Sequence, residues 1–179
     1  MDVDAFASQL LEESKRFLEK ADARMADIGR NASLHAALLL AFASLEAHLN
    51  SMSEDFLVRE DLSVLDRSTL AERDFVLEEG RWVLTERLRV YRIEDRVEYL
   101  HNTFSNATLD KSAPYWPQLK DGLRLRNRLT HPRQMEIITG DQVRRAILAV
   151  IDTLDALYLA VYKRPFPAKQ RGANSTLDF

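Results

Sequence analysis

The sequence predicts an all-α fold, an antiparallel bundle of five or six helices. The 179 residues include only five Gly and five Pro, so few positions would interrupt a helix. Apolar residues recur three and four positions apart over most of the chain, which is the spacing of an amphipathic helix. Strand signals are weak. A chain of this length can bury one good core, so a single domain is expected over residues 1–165, with a flexible tail over residues 166–179.

Two apolar stripes predict a long antiparallel helical hairpin at the start of the chain. The first stripe ends near Gly29 and consists of Phe6, Leu10, Phe17, Ala21, Met25 and Ile28. The second is stronger and consists of Leu34, Leu38, Phe42, Leu45, Leu49, Met52 and Phe56. The longest apolar run, residues 36–43, is far shorter than the about 20 residues needed to span a bilayer. It indicates a core helix and no membrane association.

The middle of the chain predicts two further helices. Thr69 and Glu72 have the spacing of a capping box, so a third helix is expected to start there. Because of Gly80, the position of its C-terminal end is not predicted. Its apolar residues would be Phe75, Val76, Trp82 and Val83. Residues 90–93 allow a short extended piece, after which helical spacing resumes at Ile93, Val97, Leu100 and Phe104. Acidic residues alternate here with Arg81, Arg87, Arg89, Arg92 and Arg96, which is typical of a solvated, salt-bridged face.

Prolines mark the ends of the last two helices. Pro114 and Pro117 predict a loop over residues 110–117 that leads into a helix, and Pro132 is expected to close that helix. Gly140 and Asp141 start the final helix, which Pro165 and Pro167 stop. Its stripe consists of Val143, Ile147, Val150, Leu154, Leu157 and Val161.

The charge distribution argues against nonspecific DNA binding but leaves a local positive patch. The formal net charge is −3 and the pI is about 5.8, whereas a DNA-binding domain is normally basic. Between Lys120 and Arg133, however, the chain has a single acidic residue, Asp121, against five basic ones. The basic residues are Lys120, Arg124, Arg126, Arg128 and Arg133. Any nucleic acid is therefore expected to bind at this patch.

Several site classes are not expected. The absence of Cys removes disulfides, thiolate metal sites and cysteine nucleophiles, and fits a reducing cytoplasm. His35 and His48 lack metal-ligand spacing and are expected at surface or boundary positions, so neither a metal nor a cofactor is predicted. The acidic start, Met1-Asp2-Val3-Asp4, is followed by no apolar run and so does not resemble a secretory signal. A cytoplasmic location is expected.

The segment Arg126-Asn127-Arg128-Leu129-Thr130-His131-Pro132 has the chemistry of a phosphodiester site. Arginine holds phosphate through a planar fork, and histidine titrates near neutral pH. At 100° per residue, Arg126 falls in the middle of the apolar arc of its helix, so it must be paired, ligand-bound or at a subunit interface. Asn127 and His131 fall on the opposite, solvated arc, which also carries Lys120, Arg124 and Arg128. Either the helix ends before His131, or two chains assemble the cleft.

This segment resembles the motif of the HEPN superfamily (higher eukaryotes and prokaryotes nucleotide-binding). The motif is arginine, then four to six residues, then histidine, with a polar residue directly after the arginine. The resemblance implies a helical bundle that dimerises so that both motifs line one cleft, and an endoribonuclease that needs no metal. Arg126 would polarise the phosphate, and His131 would be general acid or base for attack by the ribose 2′-hydroxyl. Asn127 would orient the histidine or the phosphate. Lys120, Arg124, Arg128 and Arg133 would contact RNA.

The resemblance covers residues 116–133 and leaves alternatives open. It places the protein in a toxin or phage-defence context, in which an antitoxin or a nucleotidyltransferase is a further partner. Arg124, with six residues between it and His131, fits the longest spacing of that motif and is a second candidate for the motif arginine. Arg126 could instead form an internal salt bridge, with Glu46 the leading partner, and His131 could serve as a helix C-cap. On that interpretation the protein is a non-catalytic module that binds a nucleotide, an RNA or a protein.

Overall fold

The computed structural model describes residues 3–23, 28–105 and 107–179, and these residues form six α-helices and one two-stranded antiparallel sheet. The helices are α1 (Val3–Asp22), α2 (Ile28–Leu57), α3 (Val64–Ala71), α4 (Ile93–Phe104), α5 (Tyr115–Thr130) and α6 (Gly140–Tyr162). The strands are β1 (Arg73–Glu78) and β2 (Arg81–Leu88). The predicted mostly helical fold is confirmed, whereas the small sheet corrects the expectation of a purely α-helical chain.

Helices α1 and α2 pack side by side in antiparallel directions, as predicted. Ser14 Oγ donates to the backbone oxygen of Ala37 at 2.8 Å, and Ser44 Oγ donates to that of Ala7 at 2.7 Å. These bonds allow two serines to be buried between the helices without unpaired hydroxyls. The buried face of α1 lies one position beyond the predicted stripe, since Phe6 is 44% exposed. Helix α1 ends at Asp22, before the expected end near Gly29, and Met25 lies outside the described residues.

Helix α2 is the centre of the bundle, and every other helix packs against it. The stripe predicted for this helix is buried from Leu34 to Met52, and Phe56 is partly buried; Leu38, Phe42 and Leu45 are at most 1% exposed. In the described part of the chain, α2 is also the one helix long and apolar enough to cross a membrane by length and composition alone. Its packing explains that composition, because a helix surrounded by other helices is apolar on most of its faces.

The prediction of a third helix that starts at Thr69 is wrong. Ser63 caps the short helix α3 through a capping box with Asp66, and Thr69 lies in its last turn. The helix ends because Glu72 adopts a left-handed conformation, with φ 50°. Residues 73–88 then form the β1–β2 hairpin, whose two-residue turn, Glu79-Gly80, has positive φ at both positions. Such a turn matches the twist of the strands, and glycine adopts it without steric cost.

Helices α5 and α6 lie side by side, and α5 ends before Pro132 and α6 starts at Gly140, as predicted. Pro117 lies inside the first turn of α5, where its missing N–H is not needed, so the helix starts at Tyr115, inside the loop predicted over residues 110–117. Thr139 caps α6 through a capping box with Gln142. Gly122 allows α5 to approach its neighbours, because a Cβ atom there would lie 2.9 Å from Phe42 Cζ.

The C-terminal segment 166–179 packs onto the bundle, which corrects the prediction of a flexible tail. Phe166 is 3% exposed, and residues 169–171 form a short 3-10 helix. Thr176 donates to Glu12 of α1 from its backbone nitrogen at 2.7 Å and from its hydroxyl at 2.9 Å. Arg171 donates to the same carboxylate at 2.9 Å. Because this segment is mostly polar, its packing over α1 could not be predicted from the sequence.

Candidate functional site

The predicted motif lies at the C-terminal end of α5. The helix ends at Thr130, and His131 is its C-cap, with φ −127° and ψ 61°. The backbone N–H of His131 donates to the backbone oxygen of Asn127 at 3.0 Å, and Pro132 follows. Pro132 therefore closes α5 as predicted, and the change of direction leaves the imidazole of His131 exposed.

Arg126 extends in another direction, towards α2. Its Nη2 donates to Glu46 Oε1 at 2.8 Å, and its guanidinium carbon lies 5.9 Å from the centroid of the Phe42 ring. The salt bridge to Glu46, one alternative that the sequence left open, is confirmed. The position of Arg126 among the apolar residues of α5 made this pairing predictable, since a charge facing the core needs a partner.

The guanidinium of Arg126 is incompletely paired. A guanidinium has five N–H donors, and within the described residues Glu46 is the one hydrogen-bond partner of the Arg126 guanidinium. Arg126 Nε is buried and has no hydrogen-bond partner there. The Arg126 side chain is 23% exposed and that of Glu46 is 46% exposed, so the pair lies at the edge of the bundle. Donors remain for a further anion at this edge.

A surface pocket of about 470 Å³ surrounds His131. Asn127, Arg128, Arg133, Gln134 and Glu136 complete its lining, and Arg126 does not contribute to it. A single chain therefore does not bring Arg126 and His131 into one pocket. Within the described residues, no hydrogen bond joins the side chains of Asn127 and His131, so the bond expected between them is not observed.

Carboxylates neutralise part of the predicted RNA-binding patch. Arg124 pairs with Asp121 one turn earlier on α5, and Arg128 Nε donates to Glu136 Oε1 at 2.8 Å. Within the described ranges, neither Lys120 nor Arg133 forms an ion pair. The patch is positive, but less so than the sequence alone suggests.

A groove of about 330 Å³ separates the exposed edges of α5 and α6. Arg124 and Arg128 line it from α5, and Gln142 and Arg145 line it from α6. Arg145 is exposed, and no ion pair involves it among the described residues. The sequence did not single out Arg145, although the pair Arg144-Arg145 in the first turns of a helix was a visible signal.

Two side chains predicted at surface or boundary positions are buried. Arg96 is 4% exposed and His48 is 1% exposed, which corrects the solvated face and the boundary position expected for them. The His48 ring lies edge-on to Phe166, and its Nδ1 is 3.3 Å from Asp4 Oδ1. Burial lowers the pKa of His48 and the nearby Asp4 carboxylate opposes that shift.

The residues at the end of α5 can perform two kinds of chemistry. The arginines supply permanent positive charge and directional donors, which suit phosphate groups. The imidazole of His131 is exposed and so accessible to a ligand, and histidine is the side chain that most often serves as general acid or base. In the described part of the chain, no group of three or more acidic or histidine side chains is arranged to hold a metal ion. The chain matches no protein-family model, no curated protein and no solved structure.

Proposed function

We propose that this protein is a HEPN-type endoribonuclease that cuts RNA without a metal ion, in a toxin or phage-defence context. The observation that carries the proposal is the exposed His131 at the end of α5, in a pocket whose lining includes Arg128 and Arg133. A proton-transferring group beside permanent cations suits a phosphodiester substrate.

The proposed reaction is an attack of the ribose 2′-hydroxyl on the adjacent phosphorus. His131 takes the proton of the hydroxyl or delivers one to the departing 5′ oxygen, and Arg126 stabilises the charge on the phosphate oxygens. Asn127 would orient the imidazole or the phosphate. The bond from phosphorus to the 5′ oxygen breaks, which leaves a 2′,3′-cyclic phosphate and a 5′-hydroxyl. Water is not consumed in this step, and the 2′-hydroxyl makes it specific to RNA.

The proposal requires two copies of the chain. Arg126 contacts α2 and His131 lies in a separate pocket, so one copy leaves the two groups apart. A two-fold dimer in which the ends of α5 face each other would combine them in one cleft. Glu46 would then hold one side of the Arg126 guanidinium while its remaining donors bind the phosphate.

A second candidate is a binding module without catalysis, for a nucleotide, an RNA or a protein. The observation favouring it is that Glu46 already neutralises Arg126 while His131 faces solvent. In that case the same residues hold a ligand, and an antitoxin or a nucleotidyltransferase remains a further proposed partner. Cleavage separates the two candidates directly.

The test is cleavage of cellular RNA in EDTA by the wild type, Arg126→Ala and His131→Ala. Arg87→Ala is the matched control, since Arg87 is an exposed arginine on β2, away from α5. We expect both motif variants to lose cleavage while remaining folded and dimeric, with cyclic phosphate ends on the wild-type product. Equal cleavage by all four proteins would contradict the proposal, and no cleavage by the wild type would favour the binding module.

Mixing the two inactive variants tests the composite cleft. A dimer of one Arg126→Ala chain and one His131→Ala chain still has one intact arginine and one intact histidine. If the cleft is shared, subunit exchange should restore part of the cleavage rate. Absence of restoration in a mixture shown to contain heterodimers would indicate a site within one chain.

A further inference from the structure

The groove between α5 and α6 adjoins the pocket around His131, because Arg128 lines both. The groove also contains Gln118, three turns of helix before Arg128, which places about 15 Å of α5 along it. The groove and the adjoining pocket, together called the track here, cover more of the exposed side of α5 than a single phosphate group requires.

The chemistry of this track suits a sugar-phosphate backbone. Arg124, Arg128 and Arg145 present guanidinium groups, while Gln118 and Gln142 add amides that both donate and accept hydrogen bonds. Asp121 is the one carboxylate in the lining of the groove, and it pairs with Arg124. Such a lining suits an anion with hydroxyl groups better than an apolar ligand.

Among the described residues, no carboxylate or carbonyl group pairs with the guanidinium of Arg145, so its positive charge is not offset. Its neighbour Arg144 pairs with Asp22, Arg124 pairs with Asp121, and Arg128 pairs with Glu136. Within the described ranges Arg145 forms no such pair and lines the groove from the α6 side. A phosphate there would meet the free guanidinium without displacing an internal partner.

We propose that this groove is a second phosphate subsite, in which Arg145 holds the backbone of a single-stranded RNA that extends from the His131 pocket. The ligand class rests on the function proposed above. A single strand is favoured over a duplex because the groove lies between two packed helices, whose axes are about 8–10 Å apart, and a double helix is too wide to enter it. Arg145 is thus a binding residue outside the motif.

The test is binding of a short fluorescent 2′-O-methyl RNA, which lacks the attacking hydroxyl and cannot be cleaved. Arg145→Gln is compared with Arg87→Gln, which removes the same charge from an exposed position on β2. We expect Kd to rise about five- to tenfold for Arg145→Gln alone, with the salt dependence of log Kd reduced by about 0.7. A duplex of the same sequence should bind more weakly.

Several outcomes would overturn the subsite. It fails if the wild type does not bind the strand, if both variants bind like the wild type, or if the duplex binds as tightly as the single strand. The result is separable from the nuclease proposal. Arg145-dependent binding without cleavage of ordinary RNA would keep the groove and refute the nuclease, whereas cleavage and binding unaffected by Arg145→Gln would do the reverse.

Discussion

Two arginines that face α2 from neighbouring helices differ in how completely they are paired. Arg96 of α4 donates to Glu72 at 2.9 Å and to Asn50 at 2.8 Å, and its side chain is 5% exposed. Arg126 of α5 donates to Glu46 alone among the described residues, and its side chain is 23% exposed. Arg96 is therefore enclosed by its partners, whereas Arg126 reaches the surface and has unused N–H donors.

This difference separates a structural arginine from a candidate binding arginine. Burial lowers the pKa of Arg96 from its ordinary value, and the carboxylates of Glu72 and Glu46 oppose that shift. Both effects are expected for a charge held inside a protein. The enclosed guanidinium of Arg96 is out of reach of a ligand, whereas the free donors of Arg126 match the forked geometry of a phosphate. Pairing with a carboxylate is common to both, so the presence of a salt bridge alone does not assign a role.

The largest expected effect is on stability, from Arg96→Met. The substitution leaves the Glu72 carboxylate and the Asn50 amide without their partner, so the free energy of unfolding should fall by about 3–5 kcal/mol. Arg126→Met should cost about 1 kcal/mol, since its pair is partly exposed and screened by solvent. Urea denaturation of both variants measures the difference. Equal losses would remove the distinction between the two arginines.

A carboxylate can also be held by several donors, as Glu12 is, and this makes the free energy of unfolding depend on pH. Burial would raise the pKa of Glu12, but hydrogen bonds from Lys15, Arg171 and Thr176 lower it from 4.5 to about 2. A carboxylate with a lowered folded pKa stabilises the fold above its unfolded pKa. This contribution, about 3 kcal/mol, should be present above pH 4.5 and be lost as the pH falls towards 2.

Unfolding free energies of the wild type and Glu12→Gln, measured from neutral to acidic pH, test this prediction. The difference between the two proteins should narrow as the pH falls through the range between the two pKa values. Glu13→Gln on the same helix is the matched control and should follow the wild type. Parallel curves for the wild type and Glu12→Gln would show that Glu12 is not specially stabilised in its charged form.

The sequence predicted the parts of the fold that depend on helical periodicity. The apolar stripe of α2, the end of α5 before Pro132 and the start of α6 at Gly140 each depend on residues close in the chain. The β1–β2 hairpin was missed because Phe75, Val76, Trp82 and Val83 fit a helix as well as a strand. Its turn, Glu79-Gly80, also lacks the Asn or Asp that usually indicates a hairpin.

The site was predictable to the extent that one helix determines it. The angular position of Arg126 on α5 indicated a buried pair, and Glu46 was identified on the same reasoning. Arg96 was missed because charged residues surround it in the chain, although its partners Glu72 and Asn50 come from other segments. Arg145 was missed for a related reason, since the groove it lines exists only where α5 and α6 meet.

A smaller effect is expected for Glu46→Gln, on RNA binding. The carboxylate lies 2.8 Å from the Arg126 guanidinium, so it repels any phosphate that approaches the free donors. Removing this charge should tighten binding of an uncleavable RNA about fivefold, equivalent to about 1 kcal/mol. Glu54→Gln, an exposed position further along α2, is the control and should leave Kd unchanged. Unchanged affinity for both variants would show that Arg126 does not contact RNA.

The smallest expected change in stability is that of His131→Asn, which completes the comparison. The imidazole is exposed, and the capping bond to Asn127 uses the backbone N–H, which the substitution retains. The free energy of unfolding should therefore stay within about 0.5 kcal/mol of the wild type. RNA cleavage should nevertheless be lost, because asparagine cannot transfer a proton at neutral pH. A stability loss above about 1 kcal/mol with cleavage retained would identify His131 as a helix cap that acts on the dipole of α5.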